Sequence, residues 1–173
     1  MPEVTETTAA DVREAFSRWA SGVCVVTTQA PDGSPIGVTA TSFTAVSIDP
    51  PLMLWCLDNR SHSMQSFRTA ETYAVHILGE NQDQTSASFA RAGRDKFAHR
   101  PVSEGPVPHL RHCLVRLECR HHEIIDAGDH TIFIGRIDNV STTDGNPLLY
   151  FRARYGIYSS HPSHDPFSLE TWL

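Results

Sequence analysis

Lysine is almost missing from this chain. Of its 14 basic residues only Lys96 is a lysine, and 20 acidic residues leave a formal charge of −6 over 173 residues. Nucleic-acid binders carry a basic footprint, so that class of partner is excluded. Long apolar runs are lacking too. None nears the roughly 20 residues of a membrane span, and the opening MPEVTETTAA is acidic and polar, unlike a signal peptide. A cytoplasmic protein is the expectation, which leaves the sequons at Asn59 and Asn139 without glycosylation. Cysteine is sparse, and Cys24, Cys56, Cys113 and Cys119 form no Cys-x-x-Cys pair. In a reducing compartment they read as reduced, mostly buried thiols. Also absent are a Gly-x-Gly-x-x-Gly fingerprint, a Gly-x-x-x-x-Gly-Lys phosphate loop and a Gly-x-Ser-x-Gly elbow. A dinucleotide-binding α/β fold and a serine hydrolase both lose their support.

What is present is strand-like. A helix is expected over 8–20, where Val12, Ala15, Phe16 and Trp19 recur at helical spacing and Thr8 and Asp11 stand three apart as a cap. After Gly22 the β-branched run Val23 to Thr28 begins, and Pro31-Asp32-Gly33-Ser34-Pro35 turns it into a second strand, Ile36 to Val46. Leu52 to Leu57 reads as a buried strand, Met64 to Arg68 as a short helix, Tyr73 to Leu78 as a strand and Gln82 to Arg91 as a helix. A long loop follows, Gly93 to Pro108. From Cys113 the alternation is clean, with Val115, Leu117 and Cys119 on one face and Arg116, Glu118 and Arg120 on the other. Turns at Asp126–Asp129 and Asp144–Pro147 bracket a return strand over Ile132 to Val140 and lead into Leu148 to Phe151. Many hairpin-linked strands with few helices predict a mainly β, antiparallel barrel with peripheral helices. With no repeat and no linker, a single domain is expected, its core over about residues 12–157 and its tail over 159–173.

His109, His112, Cys113, Cys119, His121 and His122 invite a metal. Ligands must converge on one point. Cys113 and Cys119, at opposite ends of one strand face, lie roughly 20 Å apart at the usual rise, so no metal is expected. The segment Gly37 to Ser47 is more telling, because small and hydroxylated residues fill almost every position. Either its Ser and Thr side chains face water on a half-buried edge, or the strand is lined with donors for a flat polar ligand such as a flavin ring. Asp58-Asn59-Arg60-Ser61-His62-Ser63 then supplies hydroxyls and an arginine ahead of a helix, and Lys96, Arg91 and Arg94 add positive charge suited to a phosphate.

Gly37-Val38-Thr39-Ala40-Thr41-Ser42-Phe43 followed by Val46-Ser47-Ile48-Asp49-Pro50-Pro51-Leu52 resembles the signature of the flavin reductase family, the small component of two-component flavin monooxygenases. Ser21 to Thr28 matches that family's first strand. Phe89-Ala90, Lys96-Phe97, Gly128-Asp129-His130, Ile134-Gly135-Arg136 and Pro147 to Phe151 follow in order. Each motif alone is weak, and the ordered set over about residues 12–157 is specific.

The resemblance implies a homodimeric split barrel that binds FMN or FAD, with NADH or NADPH as hydride donor. By the same resemblance Thr39, Ala40, Thr41, Ser42 and Ser47 contact the flavin ring and ribityl chain. Cys56, Leu57, Asp58, Ser61, His62 and Ser63 continue the pocket toward the phosphate, and Phe89, Ala90 and Lys96 close over it. Tyr150, Phe151, Arg152 and Ala153 approach the nicotinamide, as does His130, the one catalytic candidate; a turn-capping histidine is the plainer alternative. Position 41 is Thr where many relatives carry Asn or Ser. Trp55, Phe133 and Phe151 are the candidate dimer contacts. The expected activity is hydride transfer from nicotinamide C4 to flavin N5, supplying reduced flavin to a separate oxygenase. The competing reading is a flavin-binding carrier or sensor on the same scaffold.

Overall fold

The structure, a computed structural model, describes residues 7–93, 95–97, 102–103 and 107–161. Arg94 and the tail beyond His161 lie outside the described residues. In chain order the elements are α1 (Ala9–Ser17), β1 (Ser21–Gly22), β2 (Cys24–Gln29), β3 (Pro35–Ala40), β4 (Thr44–Ser47) and β5 (Leu52–Asp58). Next come α2 (Met64–Thr69), β6 (Thr72–Ile77), α3 (Asp83–Ala90), a 3-10 turn (Asp95–Phe97), β7 (Val102–Ser103) and β8 (His109–Leu110). The chain then runs through β9 (Val115–Ala127), β10 (His130–Thr142), β11 (Leu148–Phe151) and β12 (Arg154–Ile157). The Thr8–Asp11 cap forms as a reciprocal capping box.

Seven strands make the main antiparallel sheet in the order β3-β2-β6-β9-β10-β5-β4, beside a small sheet β1-β11-β12. The edge strands β3 and β4 are consecutive in the chain, joined by residues 41–43. Laid flat, the two edges of such a sheet stand about 29 Å apart at the usual strand spacing. The link from Ala40 to Thr44 spans at most about 14 Å. The sheet therefore curls until its edges meet, and the barrel predicted from the hairpin pattern results.

Where one strand was expected from Ile36 to Val46, there are two. The chain breaks at 41–43 because the Ser42 hydroxyl turns to β5, accepting from Cys56 N at 2.8 Å and donating to Cys56 O at 3.3 Å. A second difference concerns Trp55 and Phe133. These stand in register on β5 and β10, fully buried, with rings stacked at 4.8 Å. Phe67 of α2 meets the Trp55 ring edge-on at 4.9 Å. These aromatics fill the barrel and are not available as dimer contacts; of the three expected, Phe151 alone is exposed. A strand that sequence reading missed, β12, completes a hairpin with β11.

The core has two parts on opposite faces of the sheet. Cys24, Val26, Trp55, Tyr73, Leu117 and Phe133 pack inside the barrel. Val23, Val25, Leu78, Phe89, Leu110 and Leu148 pack outside it. Strand β2 is thus buried on both faces, which is why it reads as an unbroken apolar and β-branched run.

His76 of β6 anchors the outer part. Its Nδ1–H donates to Val25 O at 3.1 Å, and its Nε2 accepts from Leu110 N at 3.2 Å. Burial pushes its pKa down to about 4, and the positive charge of His109 and Arg116 acts in the same direction. Protonation would also take away the lone pair that holds β8. Between pH 6.5 and about 4 the unfolded chain binds a proton at this site that the folded chain refuses, so stability falls as pH falls through that window and levels off below it. His109 and His121, also held below the ordinary histidine value by burial, add to the slope with the same sign. Urea titrations should show the unfolding free energy dropping by about 1–3 kcal/mol from this site over the window. His76→Gln should flatten the larger part of the slope; an unchanged slope in that variant would assign the dependence elsewhere.

Candidate functional site

Outside the barrel, between β3, α3 and the loop after β5, lies an open cavity of about 930 Å³. Its size falls in the range of small-molecule and cofactor sites. Residue 37 sets how closely α3 approaches. A Cβ at Gly37 would stand 2.5 Å from the Phe89 ring and 3.1 Å from Phe97, so glycine lets the buried Phe89 lie against the strand. Phe97 in turn meets Phe89 edge-on at 5.0 Å. Lys96 ties these pieces together, its Nζ donating to Gly37 O at 2.9 Å and to Phe89 O at 3.0 Å. Partial burial lowers the pKa of this ammonium, so the single lysine of the chain is a half-buried cation with two donors taken by carbonyls.

The opposite wall is the loop after β5. Asp58 accepts from Arg60 N at 2.8 Å and from its guanidinium at 2.8 Å and 3.2 Å. Those bonds, with a smaller contribution from the nearby His130, hold the carboxyl well below the usual carboxylate range. Ser61 Oγ accepts from Ser63 N at 3.2 Å. The β9–β10 turn is sewn to this loop, since Asn59 N donates to Asp129 O at 2.9 Å and Asn59 Nδ2 to Gly128 O at 3.1 Å. His130 opens β10 directly opposite Asp58, with its Nδ1 at 2.7 Å from Asp129 Oδ1. Through that bond and charge, His130 lowers the Asp129 pKa. The predicted catalytic histidine stands beside the cavity rather than among its lining residues.

A smaller cavity of about 240 Å³ lies between α1 and the β11–β12 hairpin, lined by Phe16, Trp19, Thr41, Tyr150, Arg152 and Ala153 among others. The hairpin turns on two left-handed residues, Arg152 at φ 49° and Ala153 at φ 59°. It is held by Arg152 N donating to Ser17 O at 3.0 Å and by the Arg152 guanidinium on Glu14 Oε1 at 3.2 Å.

The residues expected at the flavin and at the nicotinamide fall at two cavities. Thr39, Leu57, Asp58, Ser61, His62, Ser63, Phe89, Ala90 and Lys96 line the large cavity. Thr41, Tyr150, Arg152 and Ala153 line the small one. Ala40 packs into the barrel core, and Ser42, Ser47, Cys56 and Phe151 line neither. Burial raises the Cys56 thiol pKa, against the effect of its bond with Ser42. The hydroxyl-lined strand has two of its protons engaged within the protein. The Thr39 proton is given to Ser86 O at 2.7 Å and the Ser42 hydroxyl to Cys56, so neither is a free donor. Sequence reading missed the far wall, formed by Asp32, Ser34 and Pro35 with Ala92 and Gly93. The turn signal at 31–35 was legible there, but its distance from α3 was not. Among the described residues no three His, Cys, Asp or Glu side chains come together to hold a metal. No helix among them is long and apolar enough to cross a membrane.

Comparison with known proteins agrees with this architecture. The family described as "Flavin reductase like domain" matches residues 16–159. The chain is 41% identical to the FMN reductase (NADH) SmoA of Agrobacterium fabrum over 149 residues, 85% of this chain and 84% of that protein. It is 37% identical to the reductase component of the flavin-dependent trigonelline monooxygenase of Acinetobacter baylyi, over 84% of this chain and 47% of that protein. It thus spans about half of that relative. An NADH:FAD oxidoreductase of Streptomyces globisporus, solved in complex with NAD and FAD fragments, superposes with a TM-score of 0.83 at 29% identity, covering 95% of this chain and 100% of that one.

Proposed function

The chain belongs to the flavin reductase family, and from that premise we propose that it reduces FMN or FAD with NADH and passes the reduced flavin to a separate monooxygenase component. The observation that carries the reading is the large cavity, whose lining combines the apolar Leu57 and Phe89 with hydroxyls at Ser61 and Ser63 and the half-buried Lys96. That donor set fits a flavin. A flat ring takes the apolar wall, and a phosphate takes the hydroxyls and the ammonium.

Hydride transfer is the chemistry the bound cofactors supply, and the protein contributes orientation. On this reading Leu57 and Phe89 seat the ring, Thr39 offers it an acceptor oxygen, and Ser61, Ser63 and Lys96 hold the phosphate. His130 and the Tyr150–Ala153 hairpin face the nicotinamide.

A homodimer is part of the proposal. Helix α1 buries no side chain in one chain, its Phe16 is 75% exposed, and Trp19 just after it is 79% exposed. Tyr155, Ile157 and Tyr158 are exposed as well. So much bared apolar surface is what a second copy covers.

Purified protein should oxidise NADH in the presence of added FMN or FAD; flavin binding with no oxidation above background would make it a carrier instead. Ser61→Ala combined with Ser63→Ala should weaken flavin in a fluorescence titration by roughly ten- to hundredfold, as expected for lost charge-assisted hydrogen bonds. Unchanged affinity would move the flavin out of this cavity. His130→Ala should lower kcat/KM for NADH by on the order of tenfold while flavin affinity shifts less than about threefold. Unaltered reduction kinetics in stopped flow would return His130 to a turn residue. Sedimentation should give a mass near twice the 19.2 kDa of one chain; a monomer at micromolar concentration contradicts the dimer.

A further inference from the structure

Helix α3 supplies a wall of the large cavity through Phe89 and Ala90, and Phe89 anchors it in the outer core. It is eight residues long, and the side chain of its N-cap residue Gln82 does not cap it but accepts from Gly79 N at 2.8 Å and donates to His112 O at 2.7 Å. Isolated helices of that length are marginal in water. Its position is therefore set by what it touches. Two of those contacts meet at Ser86, which is 1% exposed. The Ser86 carbonyl accepts from Thr39 Oγ1 of β3 at 2.7 Å. The Ser86 hydroxyl accepts from Tyr155 Oη of β12 at 2.9 Å.

Tyr155 lines neither cavity, but its surroundings are well determined. Its ring lies 5.6 Å from that of Tyr150, its register partner across the β11–β12 hairpin. The hairpin turn adopts left-handed conformations at Arg152 and Ala153, where no glycine eases them. Such a turn persists when its surroundings over-determine it. Here the bonds from Arg152 to Ser17 and Glu14 tie it to α1. The hairpin thus reaches α3 through one hydroxyl–hydroxyl bond to a buried serine.

We propose that Tyr155 is a positioning residue for the large cavity: through its hydrogen bond to Ser86 it fixes α3, so flavin affinity is set in part from the hairpin outside the cavity. The inference rests on the reading that this cavity takes the flavin. Removing the phenolic oxygen leaves the Tyr155 ring in place and frees α3 from one of its two ties at Ser86. Ser86→Ala breaks the same bond from the other side and keeps the carbonyl that Thr39 uses.

The test titrates FMN against Tyr155→Phe, Ser86→Ala, the double variant and the Ser61→Ala/Ser63→Ala protein. Tyr155→Phe and Ser86→Ala should each weaken FMN by about three- to tenfold, the range of one hydrogen bond. The double variant should be no weaker than either single, because both remove the same bond. In steady state the loss should fall on KM for FMN rather than on kcat. If Tyr155→Phe binds FMN as wild type does while the Ser61/Ser63 variant is weakened, the positioning role is wrong and the cavity assignment stands. Additive losses in the double variant, or a loss confined to kcat, also overturn the role. If the Ser61/Ser63 changes leave FMN binding untouched, the cavity assignment fails and takes this inference with it.

Discussion

Residues 41–43 constrain everything else in this fold. They are too few to bridge a flat seven-stranded sheet, so the sheet must close, and the Ser42 hydroxyl pins the crossing to Cys56 with two hydrogen bonds. Closure gives each strand an inside and an outside. The inside takes Trp55, Phe67, Tyr73 and Phe133 as a packed aromatic core. The outside of β2 and β3 is left needing cover, and α3, β8 and β11 supply it.

The large cavity is a by-product of that cover. Helix α3 crosses β3 closely at Gly37, where no Cβ stands in the way of Phe89, and Phe89 and Ala90 at its end line the cavity. The loop after β5 faces the gap because closure brings β5 round to the side of β3. Neither wall is near the other in sequence, and the register of β5 with β10 sets His130 opposite Asp58 at the mouth. The arrangement of the site is thus a consequence of barrel closure more than of any local motif.

Those physical origins explain what could be read from the residues in advance. Alternation along Val115 to Arg120 reports a strand with one buried face because burial there is decided residue by residue. Thr8 and Asp11 form a cap by local geometry alone, so their spacing suffices. Tertiary relations were not legible in this way. Nothing in Arg152-Ala153 signals a two-residue hairpin turn, which ordinarily calls for Gly, Asn or Asp, and β12 went unseen as a result. The Ser and Thr residues of the 37–47 segment read either as facing water or as donors awaiting a ligand, whereas Thr39 and Ser42 bond the protein's own carbonyls and amides. An aromatic in a strand run looks the same whether it faces the barrel or a partner, and Trp55 and Phe133 face the barrel.

Electrostatics at the cavity follow from how its one ammonium is placed. Among the described residues Lys96 pairs with no carboxylate; two backbone carbonyls take two of its three donors, and partial burial makes the charge harder to keep. Carbonyls orient an ammonium without neutralising it. The charge is thus kept for an anion, whose approach would raise the pKa back toward its ordinary value and so be favoured in turn. Arg60 stands in contrast, because its guanidinium is engaged by Asp58 at the opposite wall. In a chain with an excess of six negative charges, an anionic ligand is repelled over most of the surface. Lys96, oriented between the strand and the helix that form the cavity, and Arg91 on the same lining are where that repulsion is locally reversed.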